Sequence, residues 1–178
     1  MQQLSIASLH QLRRWFWSLL VGNALFIAGV TLYLRPLTSG QIVRFELAKH
    51  TSVTESIIQE WTSNGLLQKA ITSIYIDFFF IILYVAGLAV TSIFLSKLTL
   101  HEILIRTGKF FSYLMVAAGI CDIIENISLL KMLYGNVNYW NVVVAYDMAA
   151  TKFSLVILCI LFIGICIIFW GLGKLVKS

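Results

Sequence analysis

Four runs of apolar residues constrain this chain more than any other feature. They cover residues 15–34, 71–95, 110–133 and 153–173. A helix rising ~1.5 Å per residue needs about 20 apolar residues to cross the hydrocarbon core of a bilayer, and each run is of that length. Because 60% of the residues are hydrophobic, the composition also excludes an ordinary soluble domain. The sequence predicts an all-α fold, a four-transmembrane-helix bundle that forms one integral membrane domain over residues 1–178.

The distribution of basic residues predicts how the bundle is oriented. The N-terminus, the 96–109 loop and the C-terminus are rich in lysine and arginine and contain a single acid, Glu102. The 35–70 and 134–152 segments also carry basic residues, but these are offset by Glu46, Glu55, Glu60 and Asp147. Basic loops stay on the cytoplasmic side, so both termini are predicted to be cytoplasmic. The net charge of +5 is then explained by topology, and no nucleic-acid partner is predicted.

The first outer loop carries signals for two short amphipathic helices within residues 41–63. Residues 52–55 read Ser-Val-Thr-Glu, which fits a capping box, and Asn-Gly at 64–65 fits a helix end. A weaker apolar stripe covers residues 41–49. We expect these helices to lie over the outer mouth of the bundle or flat in the interface, with Phe45 and Trp61 covering the mouth.

Polar residues inside the apolar runs point to one cluster. Asp122, Glu125 and Asn126 are spaced i, i+3 and i+4, so they project from one face of a helix. Up-and-down topology brings Asp77 and Lys152 to a similar depth in the outer half of the membrane. Charged groups facing hydrocarbon are costly, so this face is predicted to point into protein. The predicted ligand-binding or polar cluster consists of Ser73, Asp77, Tyr84, Asp122, Glu125, Asn126 and Lys152.

Two interpretations of the cluster remain open at this point. The polar groups could bind a ligand. Alternatively, their role could be purely structural (structural glue), with hydrogen bonds between helices that contribute ~0.6 kcal/mol each. Lys152 taken alone fits a lysine that snorkels from a helix end. All three histidines lie in flanks or loops, which argues against a zinc site, and the sequence indicates no metal and no cofactor.

Several short motifs resemble a group of small bacterial four-span membrane proteins. They are IVRFELA at 42–48, Trp61, YIDFFF at 75–80 with Tyr84, DIIEN at 122–126, and Lys152 followed by Phe153. The resemblance covers most of the chain from residue 40 onward and implies a bacterial inner-membrane protein in which the loop and the acidic cluster belong together. It brings no activity with it. A looser analogy, to sterol-isomerase-like and emopamil-binding four-helix proteins, rests on the membrane carboxylates alone.

Three functional hypotheses follow. The leading one is a non-enzymatic membrane protein whose acidic pocket binds a small cationic or amphipathic ligand, a lipid, or a partner helix. The runner-up is a lipid-directed enzyme that uses the carboxylates as acid and base, although its catalytic residues are unknown. The third is an accessory subunit, or one copy in a homo-oligomer, whose polar face pairs with another membrane protein. A pocket with an apolar branch would favour the enzyme, and a polar face turned outward would favour the subunit.

Overall fold

Residues 6–175 fold as six helices joined by short connections. The computed structural model describes residues 6–175, and the side chains of residues 9–175. The helices are α1 (Ile6–Leu34), α2 (Ser39–Glu46), α3 (Thr51–Ser63), α4 (Leu67–Leu98), α5 (Glu102–Leu133) and α6 (Tyr139–Leu175), and no strand occurs within residues 6–175. The all-helical prediction is confirmed. Four helices, α1, α4, α5 and α6, are long and apolar enough to cross a membrane.

The long helices extend beyond the apolar runs from which they were predicted. The largest difference is in α6, which begins at Tyr139 instead of residue 153. Hydropathy marks where polar residues stop, but the helix continues through mixed sequence if one face packs on the core. Val142, Ala145 and Ala149 provide that face, because they are fully buried at helical spacing.

The centre of the bundle is α5, which packs between α4 and α6, while α1 packs on α4. Close approach between α4 and α5 depends on small residues. A Cβ atom added at Gly119 would lie 2.8 Å from the Val85 side chain, and one added at Gly108 would lie 2.8 Å from the Ser92 carbonyl oxygen. Glycine therefore sets the helix separation at two points along this pair.

The two short helices, α2 and α3, follow α1 and precede α4 in the sequence. The capping box predicted at residues 52–55 is wrong, because α3 begins at Thr51 and its N-cap, His50, makes no side-chain capping bond. A capping box instead starts α2, where Thr38 and Gln41 each accept a hydrogen bond from the backbone N–H of the other. The helix end predicted at residues 64–65 is confirmed, since Gly65 adopts a φ of +67°.

Aromatic packing fixes α2 and α3 to the long helices. The rings of Phe45 and Trp61 lie 5.0 Å apart between centroids, and both side chains are buried. They belong to an apolar core that also contains residues of α4, α5 and α6. As a result, α2 is held firmly against the end of the bundle that contains the polar cluster.

Candidate ligand-binding site

A buried ion-pair network around Lys152 forms the centre of the site. Its Nζ atom lies 2.7 Å from Asp122 Oδ1, 2.8 Å from Glu125 Oε2 and 3.6 Å from Glu46 Oε2. The lysine is only 7% exposed. Interpreted alone, Lys152 was expected to snorkel, and that expectation is wrong. Because α6 begins at Tyr139, Lys152 lies well inside the helix, and its ammonium group is directed into the bundle.

Glu46 belongs to this network, although the sequence had suggested only an outer-loop acid. It is the last residue of α2 and is 8% exposed. Burial raises the pKa of the Glu46 carboxyl above its usual value, and the ion pair with Lys152 opposes this shift without cancelling it. One signal could have identified Glu46 in advance. It follows Ile42 by four residues, so the two lie on the same face of α2.

Two side-chain hydrogen bonds extend the network from α5 to α4. The Tyr84 hydroxyl donates to Asp122 Oδ2 at 2.8 Å, and the Asn126 amide donates to Asp77 Oδ2 at 2.8 Å. Ser73, predicted in the same cluster, instead donates to the carbonyl of Ala70 in its own helix. The side chains of α5 therefore join α4 to α6.

Some acceptor atoms of the network receive no hydrogen bond. Glu125 Oε1 and Asn126 Oδ1 are fully buried and accept none from the part of the chain that the structure describes. Glu125 Oε2 contacts Lys152 Nζ at ion-pair distance, but not in the alignment of a hydrogen bond. Buried acceptors in this state retain capacity for a donor.

A cavity of about 580 Å³ lies beside the network. Its polar end is formed by four ionisable groups, Glu46, Asp77, Asp122 and Lys152, together with Tyr84. Its walls are mainly apolar and include one side of α1, with Leu20, Phe26, Ile27, Val30 and Leu34. The cavity thus has a charged end and an apolar branch.

The predicted site residues divide into three groups relative to the cavity. Ser73, Asp77, Tyr84, Asp122 and Lys152 line it. Glu125 and Asn126 lie behind this wall and support it through Lys152 and Asp77. Phe45 and Trp61, predicted to cover the mouth, do not line the cavity but pack in the core beside it. The residues that α2 contributes to the lining are Ser39, Ile42, Val43 and Glu46.

The cavity lies in a wedge between α1 and α6, with α4 behind it. Among the described residues, α1 packs closely on α4 and hardly on α6. Asn23 attaches α1 to α4 by donating to the Leu83 carbonyl oxygen at 3.0 Å. Leu20 and Ile27 line the cavity and are about half exposed, at 48% and 51%. The site therefore opens sideways between two long helices.

The ionisable groups are not arranged as a metal site. Within residues 9–175, no group of three or more histidine, cysteine, aspartate or glutamate side chains is placed to hold a metal ion. The ammonium of Lys152 occupies the point where three carboxylates converge.

Comparison of the chain with protein-family models, with curated proteins and with solved structures returns no match.

Proposed function

We propose that the protein is integral to a bacterial inner membrane, with α1, α4, α5 and α6 crossing it and both termini in the cytoplasm. The basic residues at one end of the bundle support this orientation. Large apolar side chains on the outside of the long helices, such as Leu25, Phe79 and Leu161, support contact with lipid. In this orientation α2 and α3 are amphipathic helices on the outer face, and the polar end of the cavity lies in the outer half of the membrane.

Within that arrangement, the protein binds one amphipathic molecule in the cavity. The observation that supports this most directly is the division of the lining into a charged end and an apolar branch. Ligand pockets are typically ~300–1,000 Å³, mostly apolar, with a few polar groups that orient the ligand, and about 580 Å³ lies within that range. The polar part of the ligand meets Asp77 and Asp122, and its apolar part lies along α1.

The geometry favours this function over structural glue and over an accessory subunit. Polar groups that serve only to join helices satisfy one another and leave no space between them. Here four ionisable side chains line a cavity, namely Glu46, Asp77, Asp122 and Lys152. An accessory subunit would turn its polar face outward, whereas this face is turned inward onto α4 and α6.

A lipid-directed enzyme is the second candidate. The apolar branch of the cavity is the feature expected of such an enzyme, so it supports this candidate as well as ligand binding, and the partners of two carboxylates favour it further. Asp77 and Asp122 both line the cavity but have different partners, an amide in one case and a lysine with a tyrosine in the other. Carboxylates in unlike environments are the usual arrangement for paired acid and base roles. Recovery of the bound molecule in a chemically altered form would establish this alternative.

The test is native mass spectrometry of the full-length protein, extracted gently so that bound molecules are retained. Val30→Trp places a large ring on the apolar wall, and Leu25→Trp adds the same ring on the outer side of α1, where the side chain is 69% exposed. We expect a discrete adduct on the wild type and on Leu25→Trp, and none on Val30→Trp. Equal adducts on all three proteins, or bulk lipid alone on the wild type, would contradict the proposal.

A further inference from the structure

The acidic groups at the cavity outnumber the basic ones. Glu46, Asp77 and Asp122 line the cavity and Glu125 lies behind its wall. Among the described residues, Lys152 is the one basic side chain in the lining, and it contacts Glu46, Asp122 and Glu125 but not Asp77. Its ammonium group donates a hydrogen bond to Asp122 Oδ1 at 2.7 Å and lies 2.8 Å from Glu125 Oε2, so its charge is already paired with protein carboxylates. Lys152 is therefore poorly placed to attract an anionic head group, such as a phosphate.

Asp77 is the carboxylate left without a cation. Its Oδ2 atom accepts a hydrogen bond from the Asn126 amide. Within residues 9–175, no basic side chain forms an ion pair with it. Asp77 lines the cavity and is only partly buried, so a bound molecule can reach it. A carboxylate in this position attracts a positive charge.

Three aromatic rings, those of Phe26, Phe80 and Tyr84, line the same cavity as Asp77. Phe80 and Tyr84 follow Asp77 on α4 at i+3 and i+7, which places all three on one face of the helix. The Phe80 ring stacks on Phe26 of α1 at 5.6 Å and lies 5.5 Å from the Tyr84 ring. Aromatic faces attract organic cations, quaternary ammonium groups above all.

We propose that the ligand is a single-chain amphiphile with an alkylammonium head group. Its cation pairs with Asp77 beside the Phe80 ring, and its chain extends along the apolar side of α1. This inference rests on the proposed function, and it adds the charge of the ligand and the residue that recognises it. A cavity of about 580 Å³ suits a ligand of drug size, which a single chain with a compact head satisfies. The lateral opening between α1 and α6 lets such a molecule enter from the bilayer.

The experiment measures binding of three probes that share a twelve-carbon chain. The probes are dodecyltrimethylammonium, dodecyl maltoside and dodecyl phosphate, with a cationic, a neutral and an anionic head. Each is titrated into full-length protein in nanodiscs of zwitterionic lipid, and the one-to-one adduct is counted by native mass spectrometry. We expect the cationic probe to bind roughly tenfold or more tightly than the other two, which is the order of one charged hydrogen-bonding contact.

Matched variants locate the cation. Asp77→Asn removes the charge on the cavity wall with almost no change in size, and Asp147→Asn removes the same charge from an exposed site on α6. Asp77→Asn should lower affinity for the cationic probe by roughly tenfold and leave the neutral probe unchanged. Asp147→Asn should change neither. Phe80→Leu removes the ring and keeps the carboxylate, and it should weaken the cationic probe selectively even if Asp77→Asn fails to fold.

The possible results separate this inference from the proposed function. If all three probes bind equally and Asp77→Asn has no effect, the cationic ligand is excluded while the amphiphile pocket stands. If the anionic probe binds best, the charge assignment is wrong. If none of the probes forms a discrete adduct, both the inference and the proposed function fail.

Discussion

Replacing Lys152 with methionine tests whether one ammonium group holds the polar network together. Methionine retains a long apolar stem, but the substitution leaves Asp122 and Glu125 without a cation, and their side chains are 4% and 0% exposed. Removing one partner of a buried ion pair costs about 3–5 kcal/mol. We expect Lys152→Met to lower the free energy of unfolding by that amount. The matched control is Lys131→Met, which changes an exposed lysine and should alter it by no more than ~0.5 kcal/mol.

The assay is unfolding in mixed micelles by titration with sodium dodecyl sulfate, followed by circular dichroism. A double variant, Lys152→Met with Glu125→Gln, identifies the origin of the cost. If the cost comes from buried carboxylates left without a cation, removing the Glu125 carboxylate should restore on the order of 1 kcal/mol of the free energy of unfolding. The reasoning is refuted if Lys152→Met is as stable as wild type, or if the double variant is no more stable than Lys152→Met.

Two further predictions concern α2 and the contact between α4 and α5. Because burial raises the pKa of Glu46 above its ordinary ~4.3, the folded state holds this proton more tightly than the unfolded state does. The resulting stability is full below pH ~4.3 and is lost as pH rises through the raised pKa. Glu46→Gln has no proton to lose at this position. Its free energy of unfolding should therefore rise relative to that of the wild type as pH rises, and an equal pH dependence in the two proteins would contradict the assignment. At the helix contact, a Cβ in Gly108→Ala meets the Ser92 carbonyl oxygen at 2.8 Å and should cost about 1–3 kcal/mol. Gly164→Ala meets nothing within 4 Å, so it should be neutral or stabilising; equal melting temperatures for the two glycine variants would show that the close contact carries no cost.

The four long helices could be predicted because membrane-length apolar runs are a property of composition alone. The positions at which these helices begin and end were harder to predict from composition. Residues 139–152 contain polar and aromatic side chains that lower the hydropathy, yet they continue α6 because Val142, Ala145 and Ala149 pack inward. Hydropathy averages over all faces of a helix, whereas helix length is set by the one face that is buried.

Only part of the polar cluster could be predicted, because the sequence shows spacing along one helix but not contacts between helices. Spacing on one helix is visible in the sequence, so Asp122, Glu125 and Asn126 could be grouped correctly on one face. Contacts between helices are not visible in that way. Glu46 was counted as a loop charge because its burial depends on how α2 docks, and Lys152 alone resembled a lysine at a helix end.

The sequence predicted an acidic pocket at the polar cluster, but it could not predict that the cavity lies between α1 and α6. The cavity exists because α1 packs on α4 and hardly on α6, a choice between neighbours that hydrophobicity does not specify. Outward-facing and cavity-facing residues of α1 are both apolar, so Leu25 and Val30 cannot be told apart by residue type. Their different positions emerge only when the helices are assembled.

The short connection at residues 134–138, between α5 and α6, bears on how the chain is made. During synthesis α5, with Asp122 and Glu125, leaves the ribosome before Lys152 does, because Lys152 follows in α6. Each unpaired carboxylate in a bilayer costs about 2.5–3.5 kcal/mol on insertion scales. Because so few residues separate the two helices, Lys152 can pair with Asp122 and Glu125 almost as soon as α6 forms. We therefore expect α5 to remain with the translocation machinery until α6 arrives, so that the last two helices enter the lipid as one neutralised hairpin.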